Sequence, residues 1–198
     1  DSTLYFENMS LKGPVVIDSV KLDKEGTFLF KENANKAPEF YRLRIAGQII
    51  NVSIDSTETI TVKATYPSMA YQYEISGSEN CSKIRELAFL QMQLQGAINA
   101  IAQNPNLKTD AVNDSINKVV EAYKKNVKLN YIYKEPMKSY AYFALFQVVG
   151  LGNTVSLIFN PRSNEEDIKA FAAVATSWDT YYPNSERGKN LHNIAIEG

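Results

Sequence analysis

Apolar and polar positions alternate along the first part of the chain, from residue 3 to about residue 76. Every second residue from 41 to 45 is apolar, and the same period of two recurs in residues 50–54, 60–64 and 71–75. This period places one row of side chains on the buried face of a sheet. Together with three segments nearer the start, seven short strands separated by turn residues predict a small antiparallel β-sandwich.

The three segments near the start are also predicted to be strands. VVIDSVKL (residues 15–22) and TFLFK (residues 27–31) flank Asp23-Lys24-Glu25-Gly26. Gly26 can adopt the left-handed conformation that a hairpin loop with a bulge requires, so these two segments are predicted to form a hairpin. The opening LYFEN (residues 4–8) also alternates and is interpreted as a native first strand.

After Ser78 the apolar spacing changes to three and four residues, which is the period of a helix. Pro136 suits the first turn of one of these helices. The segment Ser163-Asn164-Glu165-Glu166 opens another with a capping-box pattern, in which a hydroxyl and a carboxylate satisfy free backbone amides. The apolar stripes predict four helices, at about residues 84–101, 112–127, 136–148 and 168–182.

Strands come first along the chain and helices second, and this order predicts an α+β fold. We expect an antiparallel β-sandwich over residues 1–77 and a mostly helical region over residues 78–198. A sandwich of about 75 residues would bury only about 60% of the surface of its unfolded chain. We therefore expect the helical region to pack on the sandwich.

Composition excludes some classes of function. The chain has 198 residues, is 44% hydrophobic and 22% charged, and carries a formal charge of −1, which is typical of an ordinary globular fold. No basic run is long enough to neutralise a row of phosphates, so nucleic acid is not an expected partner. No apolar stretch reaches the roughly 18 to 20 residues of a membrane-spanning helix. The single cysteine excludes an internal disulfide framework and a multi-thiolate metal site.

Cys81 is the only cysteine and therefore the one redox candidate. Ser78 suits the N-cap position, which would place Cys81 in the first turn of a helix, where the helix dipole lowers the pKa of a thiol. There is no second cysteine to resolve a disulfide and no adjacent histidine, and Glu79 disfavours a thiolate. We interpret Cys81 as an inert, partly buried thiol.

The remaining candidates have structural explanations, so no catalytic, cofactor-binding or metal site and no cofactor is predicted. His192, the only histidine, lies in a polar tail segment and is interpreted as a surface or capping residue. Helix-start electrostatics accounts for Glu165, Glu166 and Asp167. Gly150-Leu151-Gly152-Asn153 lacks the spacing and the lysine of a phosphate-binding loop and is interpreted as a helix terminus and turn.

The twelve tyrosines leave two alternatives open. Exposed tyrosines could stack on a sugar or hold a peptide, because each has an apolar ring and a polar tip. Buried tyrosines would instead seal the contact between helices and sheet, which is the interpretation we favour. The tyrosines concerned are Tyr66, Tyr71, Tyr73, Tyr131, Tyr133, Tyr140, Tyr142, Tyr181 and Tyr182.

Five segments carry a family resemblance. Three of them are similar to the hairpin, the following strand and the sandwich-to-helix joint of one protein family. They are, in that order, VIDSVKLDKEGTFLFK, APEFYRLRI and YEISGSENCSKIREL, the last of which contains the Gly77-Ser78 pair. PMKSYAYFALFQ and AVATSWDTYYPNSERGKNL resemble a helical segment that precedes a catalytic module. The family is that of Bacteroidetes TlpA-like, AhpC/TSA-type thiol-disulfide oxidoreductases, and the resemblance is to their N-terminal region, a domain of unknown function. These motifs indicate the family, and none of them carries a catalytic role.

The resemblance implies a location and a neighbouring domain. In that family a downstream thioredoxin-like domain with a Cys-x-x-Cys pair performs the chemistry, so we expect such a domain after Gly198 and no enzyme activity in this chain. It also implies export to the cell envelope, as a periplasmic protein or a lipoprotein. Bacteria of this group O-glycosylate exported proteins at Asp, then Ser or Thr, then an apolar residue or Thr. Four sites fit: Asp1-Ser2-Thr3, Asp18-Ser19-Val20, Asp55-Ser56-Thr57 and Asp114-Ser115-Ile116.

The expected function is a non-catalytic N-terminal accessory region of a cell-envelope thiol-disulfide oxidoreductase. Such a region could position its own downstream thioredoxin-like domain, form a homo-oligomer, or select client proteins. The alternative is a stand-alone glycan- or peptide-binding module of the cell envelope, which would use exposed tyrosines.

Overall fold

The computed structural model of this chain describes residues 3–33, 36–66 and 68–197. The chain divides into two compact units, Asp1–Arg85 and Glu86–Gly198. Antiparallel strands dominate the first unit and helices the second, so the fold is α+β, as the sequence predicts. Among the described residues no helix has both the length and the apolarity needed to cross a membrane.

The first unit contains two antiparallel sheets. Its described residues form the strands β1 (Thr3–Ser10), β2 (Gly13–Lys21), β3 (Glu39–Ile45), β4 (Gln48–Ile54), β5 (Thr61–Ala64) and β6 (Tyr73–Ser76). The larger sheet has the order β2-β1-β3-β4, and the smaller one pairs β5 with β6. The opening strand predicted from LYFEN is confirmed as part of β1.

The predicted alternation is confirmed in β3 and β4. Tyr41 lies opposite Val52 and Leu43 opposite Ile50, and all four side chains are buried. Phe6 of β1 stacks on Tyr41 with ring centroids 5.0 Å apart. One face of the larger sheet therefore forms an apolar core, as period-two alternation requires.

The other face of the larger sheet carries an ion-pair cluster. The buried Glu7 carboxylate accepts hydrogen bonds from Arg42 Nε at 2.6 Å and from Arg44 Nε at 3.0 Å. The Arg44 guanidinium also lies over the Tyr5 ring, 4.4 Å from its centroid. Burial raises the pKa of Glu7, but the hydrogen bonds from Arg44 and Arg42 outweigh it and hold that pKa below its ordinary value.

The predicted hairpin between residues 15–22 and 27–31 is wrong. β2 pairs with β1 instead, from Ser10 opposite Gly13 onwards, because β1 supplies a partner through a two-residue turn. The predicted turn does form, since Gly26 has a φ of +67° and its amide donates to the Asp23 carbonyl at 3.1 Å. Residues 27–33 then run on without a strand.

The second unit contains most of α1 (Glu79–Ala102), which begins in the first unit. It continues with α2 (Thr109–Val127), a π-helical turn (Lys128–Ile132), α3 (Ser139–Leu145), the antiparallel hairpin of β7 (Val148–Leu151) and β8 (Thr154–Leu157), α4 (Glu165–Tyr181) and α5 (Glu186–Glu197). Trp178 of α4 is fully buried in the core of this unit. Its indole Nε1 donates to the Pro136 carbonyl at 3.1 Å.

Three predictions in the helical region are corrected. The third helix starts at Ser139 rather than at Pro136, and Val148 belongs to β7 instead of to that helix. Gly150-Leu151-Gly152-Asn153 forms the end and turn of the β7–β8 hairpin, with Gly152 at a φ of +63°. The polar tail around His192 is helical and forms α5, because Leu191 is fully buried against the unit.

The start of α4 is also corrected. The N-cap is Asn164, one residue later than the predicted Ser163. Its side-chain oxygen accepts hydrogen bonds from the amides of Glu166 at 2.9 Å and Asp167 at 3.2 Å. The Asn164 side chain satisfies the free amides, whereas the capping-box pattern predicted that the Ser163 hydroxyl would do so.

Candidate functional site

Cys81 is enclosed in the first unit, where α1 begins beside β4. The Cys81 amide donates to Ser78 Oγ at 3.1 Å, which is the hydrogen bond expected of the predicted N-cap serine. The Ser53 amide donates to Cys81 Sγ at 3.4 Å, and Sγ donates to the Ser53 carbonyl at 3.3 Å. Cys81 is 0% exposed, so the thiol is more deeply buried than the sequence predicts.

The surroundings keep this thiol neutral. Burial raises the pKa of Cys81, and the negative charges of Glu58 and Asp55 raise it further. Hydrogen bonds with Ser78 and Ser53 lower the pKa, but to a smaller extent. A neutral thiol out of reach of solvent is a poor nucleophile, because the thiolate is the reactive form.

Two carboxylates and an amide form a polar network near Cys81 that the sequence pattern did not reveal. Asn80 Nδ2 donates to Asp55 Oδ2 at 2.9 Å, and the Asp55 amide donates to Glu58 Oε2 at 3.2 Å. Burial raises the pKa of Glu58, and the nearby Asp55 charge contributes in the same direction. Among the described residues no group of three or more His, Cys, Asp or Glu side chains could hold a metal ion.

An apolar cavity of about 420 Å³ opens in the first unit. Phe6, Leu43 and Val52 line it from the larger sheet, and Phe28 and Phe30 line it from the segment after β2. The Phe6 and Phe30 rings stack with centroids 5.1 Å apart. The cavity has the size and apolar lining of a small-molecule site, and its residues come from four separate stretches of the chain.

A groove of about 540 Å³ lies in the second unit, bounded by α1, α2 and the β7–β8 hairpin. Amide side chains line it from both helices: Asn99 from α1, and Asn113 and Asn117 from α2. Gly150 and Gly152 line it from the hairpin. The sequence marked Gly150 and Gly152 only as part of a turn and did not single out the asparagines, because only the tertiary fold brings these residues together.

His192 and Asp179 form a surface pair. His192 Nδ1 lies 3.1 Å from Asp179 Oδ2, and both side chains are about half exposed. Among the described residues the pair belongs to no group of three or more His, Cys, Asp or Glu side chains that could hold a metal ion, and its exposure fits the predicted surface role of His192.

The acidic residues at the start of α4 separate into different environments. Glu166 forms an exposed ion pair with Lys169 at 3.0 Å. Asp167 points inward, where Lys124 Nζ donates to its Oδ2 at 2.7 Å and the Asn160 amide donates at 2.8 Å. Helix-start electrostatics is therefore not the whole explanation of these residues, because Asp167 also neutralises a buried lysine.

Of the nine tyrosines that the sequence singled out, five are buried or half-buried and four are exposed. Tyr131 and Tyr140 are buried, and their hydroxyls donate to Glu86 at 2.8 Å and to Glu135 at 2.6 Å. Tyr73 and Tyr142 are also buried, and Tyr182 is half-buried. The exposed members are Tyr66, Tyr71, Tyr133 and Tyr181. Among the residues that the structure describes, no tyrosine lines the apolar cavity or the amide-lined groove.

Three of the four predicted glycosylation sites lie within the described residues. Ser56 and Thr57 of Asp55-Ser56-Thr57 are exposed in a bend, outside regular secondary structure. Asp18-Ser19-Val20 lies within β2 and Asp114-Ser115-Ile116 within α2. In Asp1-Ser2-Thr3, the first two residues lie outside the described part of the chain.

Comparison with known proteins adds one match. Residues 1–84 match the family model of a domain of unknown function (DUF4369). No curated protein and no solved structure matches the chain. The matched residues include the larger sheet, the apolar cavity and Cys81, so this part of the chain is similar to a domain to which the family description gives no activity.

Proposed function

We propose that this chain is a non-catalytic accessory region of a cell-envelope thiol-disulfide oxidoreductase, with the thioredoxin-like catalytic domain downstream of Gly198. The observation that carries the proposal is the environment of Cys81. Its thiol is 0% exposed and hydrogen-bonded to both main-chain groups of Ser53. The sequence segments that resemble such oxidoreductases support the family and the envelope location in this proposal.

Disulfide exchange needs an accessible thiolate and a second thiol that resolves the mixed disulfide. Cys81 supplies neither condition, because burial raises its pKa and it is the only cysteine in this chain. The catalytic pair of the proposed oxidoreductase therefore belongs to another part of the polypeptide. For this chain the proposal leaves three roles: positioning the catalytic domain, self-association, or selection of client proteins.

An insulin-reduction assay with dithiothreitol as electron donor tests the non-catalytic part of this proposal. We expect the chain by itself to leave the rate at the level of dithiothreitol alone, and the Cys81→Ser variant to behave identically. A wild-type rate above that level that is lost in Cys81→Ser would show that Cys81 is catalytic and would overturn the proposal.

The second candidate function is a stand-alone binding module of the cell envelope. The observation that favours it is the amide-lined groove of the second unit, since amide side chains both donate and accept hydrogen bonds. The version of this function that relies on tyrosine stacking loses support, because no tyrosine lines either cavity in the described part of the chain.

A further inference from the structure

The second unit shows how amide side chains on a helix bind an extended chain. Gln91 Nε2 of α1 donates to the Val148 carbonyl at 2.8 Å. Gln95, one helical turn later, binds both main-chain groups of Gly150: its Nε2 donates to the carbonyl at 2.9 Å, and its Oε1 accepts from the amide at 2.7 Å. Two glutamines four residues apart thus bind two residues of β7 that are two positions apart.

This match has a simple geometric cause. Four residues of an α-helix rise about 6 Å, and two residues of an extended strand advance about 6.6 Å. Amide side chains at positions i and i+4 of a helix can therefore reach alternate residues of a strand that runs along it. Strand side chains that point away from the helix make no contact with its amides, so this mode of binding tolerates many sequences.

A second amide pair with the same spacing lines the amide-lined groove. Asn113 and Asn117 lie four residues apart on α2, and both are exposed. Within residues 3–33, 36–66 and 68–197, neither side-chain amide has a hydrogen-bond partner. Across the groove, Asn99 Oδ1 accepts from Gln95 Nε2 at 3.0 Å, which orients the Asn99 amide.

The rest of the groove leaves room for a main chain. Gly150 and Gly152 present no side chains on the hairpin wall, and Leu151 between them contributes an exposed one. Half-buried Ile116 provides apolar surface between the amides, whereas Ile98 is only 2% exposed. A main chain can approach glycine closely because no Cβ stands in the way. An extended segment could thus bury small apolar side chains on Ile116 and Leu151 while its backbone faces the asparagines.

We propose that this groove binds an extended polypeptide segment through its main chain, with Asn113 and Asn117 bonded to alternate residues. The segment would be an unfolded stretch of a client protein. The proposal gives the client-selection role a location and rests on that role for its biological meaning. Binding relies on backbone groups, so it depends on the extended conformation of the client more than on its sequence.

Fluorescence anisotropy tests this with a fluorescein-labelled heptapeptide of serine, threonine, valine and alanine. We expect saturable binding to the 198-residue chain with a Kd below about 1 mM. The same peptide with alternate backbone amides N-methylated on one edge should bind at least roughly tenfold more weakly, because it lacks those hydrogen-bond donors. Absence of saturable binding, or equal binding of both peptides, would overturn the proposal.

Matched variants locate the binding. Asn113→Ala/Asn117→Ala should weaken it roughly tenfold. Asn126→Ala/Asn130→Ala removes another i, i+4 amide pair of the same helical stretch, whose amides bond to each other at 2.7 Å, and should leave it unchanged. Ala102→Phe, at an exposed residue of the groove, should block the peptide while all amides remain. Circular dichroism checks that each variant is folded.

Two further outcomes are decisive. An equal loss of peptide affinity in the two double-asparagine variants would place the peptide elsewhere. Binding of maltoheptaose without binding of the peptide would make the groove a glycan site. Either result overturns the proposal. The oxidoreductase assignment is tested separately by the mass and peptide content of the native protein. Failure of the groove proposal and failure of the proposed function are therefore distinguishable.

Discussion

Cys81 Sγ lies 3.3 Å from the carbonyl oxygen of Ser53 and 3.4 Å from its amide nitrogen. The thiol therefore binds to both main-chain groups of one residue of β4. Within the described residues β4 is an edge strand of the larger sheet, and the sulfur satisfies backbone groups of Ser53 that no further strand pairs with. Cys81 thus has a structural role at the junction of the larger sheet with α1.

The burial of Cys81 predicts that it is unreactive in the folded protein. Ellman's reagent should label it only after the chain is unfolded in guanidinium chloride, because the native thiol is inaccessible and protonated. A Cys81→Ser/Thr57→Cys variant is the matched control, since residue 57 is exposed in the same unit, and it should react at once. Stoichiometric labelling of native Cys81 at neutral pH would contradict the structural role.

The raised pKa of Cys81 predicts a loss of stability at alkaline pH. Below the ordinary value of 9.0 the thiol is protonated in both states. Above it the unfolded chain ionises while the folded chain retains the proton, so the free energy of unfolding falls until the pH reaches the folded pKa. Cys81→Ser removes this component. Urea denaturation from pH 7 to 10.5 should therefore show the wild type losing stability relative to the variant; parallel pH profiles would argue against a raised pKa.

Glu7 predicts the opposite dependence, at acidic pH. Its pKa is lowered, so its contribution to stability is present above the ordinary value of 4.5 and is lost as the pH falls through the folded pKa. Glu7→Gln, which leaves Arg42 and Arg44 without their carboxylate, should be less stable than the wild type at pH 7. The two proteins should converge in stability towards pH 3. A difference that does not change with pH would mean that packing, not charge, explains the effect.

The ion pair of Lys124 with Asp167 predicts a large cost when one partner is removed. Their side chains are only 8% and 1% exposed, so Asp167→Asn leaves a buried ammonium without its counter-ion and should cost about 3–5 kcal/mol. Lys124→Met/Asp167→Asn should recover part of this loss. Trp178, the single tryptophan and fully buried, reports unfolding by fluorescence.

An exposed ion pair on the same helix is the control for that experiment. Glu166 and Lys169 are 65% and 67% exposed, and solvent screens such pairs. Glu166→Gln should therefore leave the unfolding curve almost unchanged. Equal losses of stability in Glu166→Gln and Asp167→Asn would show that burial of the Lys124–Asp167 pair does not determine its contribution to stability.

The sequence predicted the elements whose pattern is local. Period-two alternation located β3 and β4, and the three-and-four spacing located α1, α2 and α4, because each pattern reflects one buried face. The partner of β2 was not predictable in this way. β2 has short connections to β1 before it and to residues 27–31 after it, so it could pair with either segment. Which of the two pairs with β2 depends on their competition, and the local pattern does not show the outcome.

The groove lay beyond prediction for a related reason. Gln95 and Gly150 are 55 residues apart in the chain, and no local pattern marks them as partners. Asn113 and Asn117 are typical of a solvated helix face when the sequence is read alone. Their candidate role depends on the hairpin opposite, which the helical interpretation of residues 136–148 had concealed.

The most direct test of the proposed function is the intact mass and peptide coverage of the native protein from its source organism. The proposal predicts a mass near twice the 22.2 kDa of this chain, with peptides that contain a Cys-x-x-Cys pair downstream of Gly198. A native mass near 22.2 kDa, with no such peptide, would contradict the proposal and make the stand-alone binding module the leading function.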